Sequence, residues 1–284
     1  MDRILNRQTT WYLINIKARR QQTTEHYISV FNSLYERDPL IEFPRGGKCS
    51  SLKNLTISET LDNDGFPCWI SIGLLAYTII DPDAFYNRRI GENVCMANWN
   101  EDIVANKKET ELYFIPSVHT IAVRCNSEIS LKNIVYYLKT AFETMEPDTF
   151  DVDVVVERDV LDRIIHAYSI THFYANISYS NHGHSSNFEA AFDDKLRNMG
   201  ASRIEFTAKG SEDHPLKADE DGLLQGIINL SEQNGYVRAT IKRTANAKFE
   251  KIDSSSHPRK LVIPQIINNF CSTIYSTLRS IFAN

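Results

Sequence analysis

Apolar and polar residues alternate, or repeat every three to four positions, in segments that follow one another along the chain. The segment "TWYLINIKAR" alternates and predicts a strand, and "TTEHYISVFNSLYER" has apolar residues at helical spacing and predicts a helix. Two extended segments follow, "SLKNLTISETL" and "FPCWISIGLLAYTII", with the turn-forming "DNDG" between them. The polar stretch from Asp81 to Glu109 then predicts a connection.

The next part of the chain has strand-like and helix-like segments in turn. Strands are predicted for "ELYFIPSVHTIAVRC", "FDVDVVVE", "THFYANISYS" and "SRIEFTAK". Helices are predicted for "SLKNIVYYLKTAFETM", "RDVLDRIIHAYS" and "NFEAAFDDKLRNMG", the last of which ends at Gly200. The segment "GLLQGIINLSEQNGYVRATIKRT" predicts two more strands with a turn at Glu232 to Gly235, and a long helix is predicted from about Pro264 to Phe282.

This order of elements predicts an α+β fold with mixed sheets, helices packed on one face and a long C-terminal helix. We place a boundary between two domains in the polar connection. Residues 1–107 are then an N-terminal α+β domain, and residues 108–284 a C-terminal α+β domain with a basic hairpin and the last helix. One side of that helix is apolar, and the other is Asn, Ser and Thr with almost no charge. Because solvated helix faces usually carry more charge, we expect another domain or a second subunit to cover this side.

The chain is acidic overall but has one concentrated basic strip. It contains 31 Lys and Arg against 36 Asp and Glu, a net charge of −5. From Tyr236 to Lys260, however, seven Lys or Arg stand against two Asp or Glu. An acidic protein binds a polyanion only through such a local patch. The predicted phosphate contacts are Arg238, Lys242, Arg243, Lys248 and Lys251, with support from Arg259, Lys260, Lys17, Arg19 and Arg20.

The sequence leaves two interpretations of this strip open. Alternation puts Val237, Ala239 and Ile241 on the core face of a strand, and Arg238 and Lys242 on its outer face. In the first interpretation the outer cations contact the phosphates of DNA and release counterions. In the second, the strand is a sheet edge whose cations prevent pairing with strands of other molecules. The segment "DSSSHPRK" that follows is predicted to be flexible.

An acidic stretch offers a different chemistry. Residues Glu143 to Asp162 include eight carboxylates and one arginine. Glu157, Asp159 and Asp162 fall at a predicted strand–helix junction, and carboxylates are the ligands that Mg²⁺ prefers, so a metal-dependent nuclease is an alternative function. The sequence gives no convincing lysine beside them, and acidic residues also complement the dipole at a helix N-terminus.

Two further groups of residues are assigned to structure. His182 and His184 in "NHGHSS" have a spacing seen in zinc sites, but they fall in a predicted surface loop. On the strand "THFYANISYS", Phe173 and Tyr179 share the core face and Tyr174 is alone outside, so no base-stacking platform is predicted. The chain has no Gly-rich phosphate loop and no G-x-S-x-G motif. We therefore predict no catalytic residue, metal or cofactor.

Four features taken in order resemble a known group of proteins. They are the early strand with "YISVFNSL", the pair "ELYFIPSVHTIAVRC" and "SLKNIVYYL", the pair "FDVDVVVERDVLDRII", and the late strand before the C-terminal helix. This pattern resembles the phage-lambda exclusion protein Rex A and related bacterial and prophage proteins. The resemblance implies a two-domain α+β homodimer that binds DNA with little sequence preference and acts in defence against phage. It implies no catalytic residues.

These observations together predict a non-enzymatic DNA-binding component of a phage-defence system. The expected partners are DNA, a second copy of the chain and a second protein of the defence system. A cytoplasmic location is expected, because no apolar window is long enough for membrane insertion and the five scattered cysteines suggest reduced thiols. A nuclease remains one alternative. The other is a protein-interaction subunit whose basic strip binds an acidic partner.

Overall fold

The structure is a computed structural model, and it describes residues 8–19, 22–95, 100, 102–125, 127–147, 149–178, 187–220, 222–264 and 270–282. Within these ranges it is an α+β protein, and the predicted fold class is confirmed. The helices are α1 (Thr24–Arg37), α2 (Leu131–Met145), α3 (Arg158–Ile165), α4 (Asn187–Asn198), α5 (Leu223–Asn234) and α6 (Phe270–Phe282).

The strands form one large sheet, one small sheet and a separate hairpin. The order of the large sheet is β14-β1-β8-β7-β4-β3-β2, with β9 also paired to β1; that of the small sheet is β11-β10-β12-β13; and β5 pairs with β6. The strand bounds are β1 (Gln8–Ala18), β2 (Ile41–Glu42), β3 (Cys49–Ile57), β4 (Ile70–Thr78), β5 (Phe85–Asn87), β6 (Glu92–Val94), β7 (Ala105–Ile115), β8 (Thr120–Arg124), β9 (Phe150–Val154), β10 (Ser169–Ser178), β11 (Arg203–Lys209), β12 (Gly235–Lys242), β13 (Glu250–Asp253) and β14 (Lys260–Pro264).

The large sheet has a hydrophobic layer on each of its faces. Helices α1 and α2 cover one face, where Phe31, Phe114 and Phe142 are fully enclosed. The buried residues of α2 recur at helical spacing, which is why this segment forms a helix that packs along one stripe. On the opposite face, α6 packs Ile274 and Leu278 against the centre of the sheet.

Among the residues that the structure describes, the small sheet is covered on one face only. Helices α3, α4 and α5 pack against its inner face, which includes Phe173, Ile177, Val237 and Ile241. The alternating residues of β10 and β12 lie on the outer face and are half-buried or exposed. This sheet therefore has the alternation of an antiparallel sheet with one core face and one solvated face.

One predicted element is wrong in type. The segment before β12 was expected to be a strand, but it is the helix α5. Its buried residues Leu224, Ile227, Ile228 and Ser231 are spaced three or four apart, which is the period of a helix face. The chain passes from α5 into β12 through Gly235, whose φ of 144° is accessible to glycine and whose position leaves no room for a Cβ beside the carbonyl of Asn176.

Three further expectations need correction. The segment predicted as a single strand around Ile115 is two strands, β7 and β8, because a turn of 3₁₀ helix at Pro116–Val118 separates them. The segment "DSSSHPRK" was expected to be flexible, but it contains the 3₁₀ helix Ser254–Ser256 and ends in β14. The last helix begins at Phe270 among the described residues, because Lys260–Pro264 pairs with β1.

The proposed domain boundary after residue 107 falls within β7. The large sheet takes strands from both sides of that position, since β7 pairs with β4 on one side and β8 on the other. The hydrophobic clusters follow the two sheets instead. As a statement about independently folding units, the boundary stays a prediction.

Candidate nucleic-acid interface

The basic strip begins on β12, continues through the connection to β13 and ends at Lys260, the first residue of β14. The predicted alternation is confirmed: Val237, Ala239 and Ile241 are buried, whereas Arg238 is exposed. Strand β12 pairs with β10 on one side and with β13 on the other. The strand is therefore internal to the sheet. The second interpretation, in which this strand is a sheet edge, is therefore wrong for β12.

Three cations of the strip, on β12 or directly after it, have acidic partners. Asp253 accepts a hydrogen bond from the Nε of Arg238 at 2.8 Å, Lys242 pairs with Glu212, and Arg243 pairs with Glu250. The hydrogen bond from Arg243 lowers the pKa of the Glu250 carboxyl below its ordinary value. The Arg238 and Asp253 side chains are 52% and 39% exposed, and such exposed pairs contribute about 1 kcal/mol or less. A phosphate group can therefore compete for these cations at little cost.

Three other cations of the strip point into solvent. Lys248, Lys251 and Lys260 are exposed, and no described residue forms an ion pair with them. Lys251 lies on the edge strand β13, so its charge also suits edge protection. Lys260 is distant in the topology, because its strand β14 belongs to the large sheet.

Lys17 cannot be a surface contact, and this expectation is corrected. Its side chain is 1% exposed, and its Nζ donates to the Oδ1 of Asn234 at 2.9 Å. Burial lowers the pKa of Lys17 to about 8. The negative charges of Asp151, Asp153 and Asp193 act in the opposite direction and raise this pKa, but their effect is smaller than that of burial. Lys17 thus belongs to a buried polar junction where β1 of the large sheet meets the end of α5. Arg20, predicted beside it, lies outside the described residues.

Arg19 and Arg259 have structural roles at two different places. Arg19 donates from Nε and Nη2 to both carboxylate oxygens of Asp151 at 3.1 Å, a two-point contact that fixes its orientation. Arg259 donates to Glu232 of α5 at 2.8 Å, and its guanidinium lies 5.4 Å from the ring centre of Phe282 in α6. The supporting cations predicted from the sequence therefore do not form one patch with the strip.

The outer face of the small sheet brings Arg238 together with aromatic residues. Tyr174 of β10 lies directly opposite Arg238 of β12, and Tyr236 precedes it on the same face. The guanidinium carbon of Arg238 is 5.8 Å from the ring centre of Tyr174 and 4.9 Å from that of Tyr236. Tyr174 was expected to be alone outside, and this is wrong because its partner Tyr236 is 6.1 Å away on the adjacent strand.

The same face carries one lysine, Lys209, that the sequence analysis did not predict as a phosphate contact. The register places Lys209, His172, Thr240 and Lys251 side by side across all four strands, with one lysine on each edge strand. Lys209 and Lys251 are both exposed. The alternation in "SRIEFTAK" does place Lys209 on the polar face, but only the strand order shows that this face continues into that of Arg238.

A cleft continues from this face toward the large sheet. Arg203 and Lys139 line two adjoining hollows of about 430 and 160 Å³. Arg19 lines the larger hollow, and Tyr236 and Ser255 line the smaller one. Arg203 also donates to Asn176 at 2.6 Å and pairs with Asp153, so it is fixed at the junction of the two sheets. The sequence gives no local sign that Lys139 and Arg203 meet.

The acidic stretch does not form a metal site among the described residues. Glu157 precedes α3 and accepts from the backbone N–H of Lys260 at 2.8 Å, whereas Asp162 binds Arg158. No group of three or more His, Cys, Asp or Glu in the described part of the chain is arranged to hold a metal ion. His182, His184 and Tyr179 lie outside the described residues.

The described helices include none that is both long and apolar enough to cross a membrane.

The fold and this surface define a class of protein: an α+β chain with one uncovered sheet face that is cationic and aromatic. Residues 7–281 match the model of the family described as "Domain of unknown function (DUF4747)", and the chain belongs to that family. No curated protein matches the chain. The resemblance to Rex A therefore has no support from a named relative, and the function has to be argued from the surface.

Proposed function

We propose that the protein binds DNA through the outer face of the small sheet, contacting phosphates with little sequence preference. The position of Arg238 is the main support for this proposal. It lies on an internal strand, where edge protection is not needed, yet its side chain is half exposed at the centre of the open face. Lys209 and Lys251 flank it at the two edges of the same face.

The charge distribution supports this proposal. The chain carries a net charge of −5, so a polyanion is repelled by most of its surface and is attracted only where cations are concentrated. Arg203 and Lys139 extend the cationic surface from Tyr236 into the cleft. The pair Arg238–Asp253 is exposed and weak, so exchanging the carboxylate for a phosphate costs little.

The biological setting of the proposal comes from the resemblance to Rex A. In that setting the protein is a non-enzymatic, cytoplasmic component of a phage-defence or exclusion system and acts as a homodimer. A second protein of the system would read out DNA binding. These parts of the proposal rest on the sequence pattern alone.

The test is fluorescence anisotropy with a labelled duplex of about two helical turns at several salt concentrations. We expect log K to fall linearly with log salt, because each bound phosphate releases counterions. The triple variant Lys209→Ala, Arg238→Ala and Lys251→Ala should lower the slope by about 3, or about 1 for each lost phosphate contact.

The matched control removes three exposed cations from the large-sheet side of the chain. Arg45→Ala, Arg88→Ala and Arg89→Ala make the same change in net charge, and all three residues are exposed. The control should keep the slope of the unchanged protein. Equal slopes for the two triple variants would overturn the proposed site, and no binding at low salt would overturn the proposed function.

The protein-interaction alternative makes a different prediction. The acidic partners of Arg238, Lys242 and Arg243 show that carboxylates suit this strip. If an acidic protein surface is the true partner, the chain should bind no duplex at low salt and should self-associate in a salt-sensitive way. Sedimentation at two salt concentrations would detect this.

A further inference from the structure

Three flat groups stand together at the centre of the open sheet face. The rings of Tyr174 and Tyr236 have their centres 6.1 Å apart and are tilted by 44°. The guanidinium of Arg238 lies within 6 Å of both ring centres, which is the range of a cation–π contact. Asp253 holds the Nε of the same arginine at 2.8 Å. The plane of the guanidinium is thus oriented by contacts on two sides.

The residues around this cluster leave it accessible. Glu205 of β11 lies on the same face, where it is hydrogen-bonded to Tyr174 and accepts from Asn176 at 3.1 Å. Three other neighbours are Thr207 opposite Tyr174, Asn176 opposite Tyr236, and Thr240 beside Arg238. All three side chains are shorter than a tyrosine or an arginine, so they do not cover the rings or the guanidinium. Arg238 is 52% exposed as a result.

Cations lie at the rim of the face and flat groups at its middle. Lys209 and Lys251 occupy the two edge strands, separated by three strand spacings of about 4.8 Å each. This distribution suits a ligand with negative charges on its outside and planar groups on its inside. A nucleic-acid strand whose bases turn toward the sheet has that form, with its phosphates toward the rim.

A duplex makes no use of the flat groups. Its bases are already stacked on each other, and its surface offers phosphates and base edges. Unpaired bases, by contrast, stack on aromatic rings and on arginine planes. We propose that this face binds single-stranded nucleic acid, with unpaired bases stacking on Tyr174, Tyr236 and the guanidinium of Arg238. The inference rests on the proposed nucleic-acid binding and specifies the form of the strand.

The experiment compares a labelled dT strand of about 15 nucleotides with the dT–dA duplex of the same length. We expect the unchanged protein to bind the single strand more tightly. The double variant Tyr174→Ala and Tyr236→Ala should weaken single-strand binding by about tenfold or more, because each substitution removes the ring on which a base stacks. Duplex binding should stay close to that of the unchanged protein.

Two further variants separate stacking from other effects. Tyr174→Phe with Tyr236→Phe keeps both rings and should keep single-strand binding. Tyr35→Ala with Tyr86→Ala removes two exposed tyrosines from the large-sheet side of the chain and should change nothing. A strand containing 2-aminopurine gives a direct signal, because stacking quenches its fluorescence, and the quenching should disappear in the Tyr174→Ala, Tyr236→Ala variant.

The outcomes distinguish this inference from the proposed function. If the unchanged protein binds strand and duplex equally and the alanine variant matches its control, the inference is overturned and duplex binding stands. If the unchanged protein binds neither form at low salt, the inference and the proposed function both fail.

If the alanine variant does not fold, Arg238→Lys replaces it. This change keeps the positive charge and removes the planar guanidinium, so it should weaken single-strand binding more than duplex binding. An equal effect on both would overturn the inference.

Discussion

The large and the small sheet differ in how many of their faces are covered. In the large sheet, α1 and α2 enclose Phe114 on one face and α6 encloses Trp11 on the other. In the small sheet, helices enclose only the face of Phe173 and Ile241. An uncovered sheet face can present its outward side chains directly to a ligand. The cluster of Tyr174, Tyr236 and Arg238 lies on the outer face of the small sheet.

Lys17 of the large sheet and Arg238 of the small sheet show the same difference between a covered and an uncovered face. Lys17 and Arg238 both lie on strands, with neighbours that alternate between apolar and polar. The outward position on β1 is covered by the end of α5, so Lys17 is enclosed and bound to Asn234. The outward position of Arg238 on β12 has no such cover from the described residues, and its side chain is 52% exposed. A cation on a strand therefore indicates a binding surface only when the face it occupies is known to be open.

The largest expected effect follows from removing the enclosed cation. Lys17→Met removes the closer hydrogen-bond donor of the buried Oδ1 of Asn234, and a buried acceptor that loses its donor costs about 1–3 kcal/mol. Urea unfolding should therefore show a large loss in the free energy of unfolding. The control Arg238→Met breaks an exposed pair and should cost about 1 kcal/mol or less. Equal losses in the two variants would contradict the contrast between them.

A second effect concerns the pH dependence of stability. Burial lowers the pKa of Lys17 from 10.5 to about 8, so between these values the unfolded chain binds a proton that the folded chain has released. Raising the pH through this window favours the folded state, by at most about 1.4 kcal/mol per pH unit from this group. Unfolding at about pH 8 and about pH 9.5 should show this gain in the unchanged protein relative to Lys17→Met. A constant difference between the two proteins would contradict it.

The smallest effect is on the open face. Asp253→Asn removes the carboxylate that competes with phosphates for Arg238 while keeping an oxygen that accepts from the backbone N–H of Ser255. We expect nucleic-acid affinity to rise by a factor of about 3 at low salt, as an exposed pair is worth about 1 kcal/mol or less. The control Glu109→Gln removes the partner of Lys53 on the large sheet and should leave affinity unchanged. A loss of affinity for a duplex in Asp253→Asn would contradict the competition between Asp253 and phosphates for Arg238.

The sequence predicted the parts of this account that depend on local periodicity. The helices α1 and α2 and the alternation of β12 follow from residues three to four or two positions apart, and all are present. The exposure of Arg238 was part of that pattern. The fold class followed from the order of these elements.

The sequence missed what depends on strand pairing. Reading α5 as a strand supplied β12 with a false neighbour, so β10 was not recognised as its partner and Tyr174 was left alone. Short apolar runs such as "LLQGIINL" fit either period, and only packing against Phe188 and the inner sheet decides for a helix. Arg203 and Lys139 are far apart in the chain, and no local pattern brings them to one cleft. The burial of Lys17 was missed for the same reason.

Photocrosslinking tests the central claim most directly. A single strand with a photoreactive thymine analogue would be irradiated with the unchanged protein, and the crosslinked peptides identified by mass spectrometry. Crosslinks to Tyr174 or Tyr236 are expected, because bases stacked on these rings are held in contact with them. Crosslinks confined to the β5–β6 hairpin or to α6, with none on β10 or β12, would contradict the claim that the open face of the small sheet binds nucleic acid.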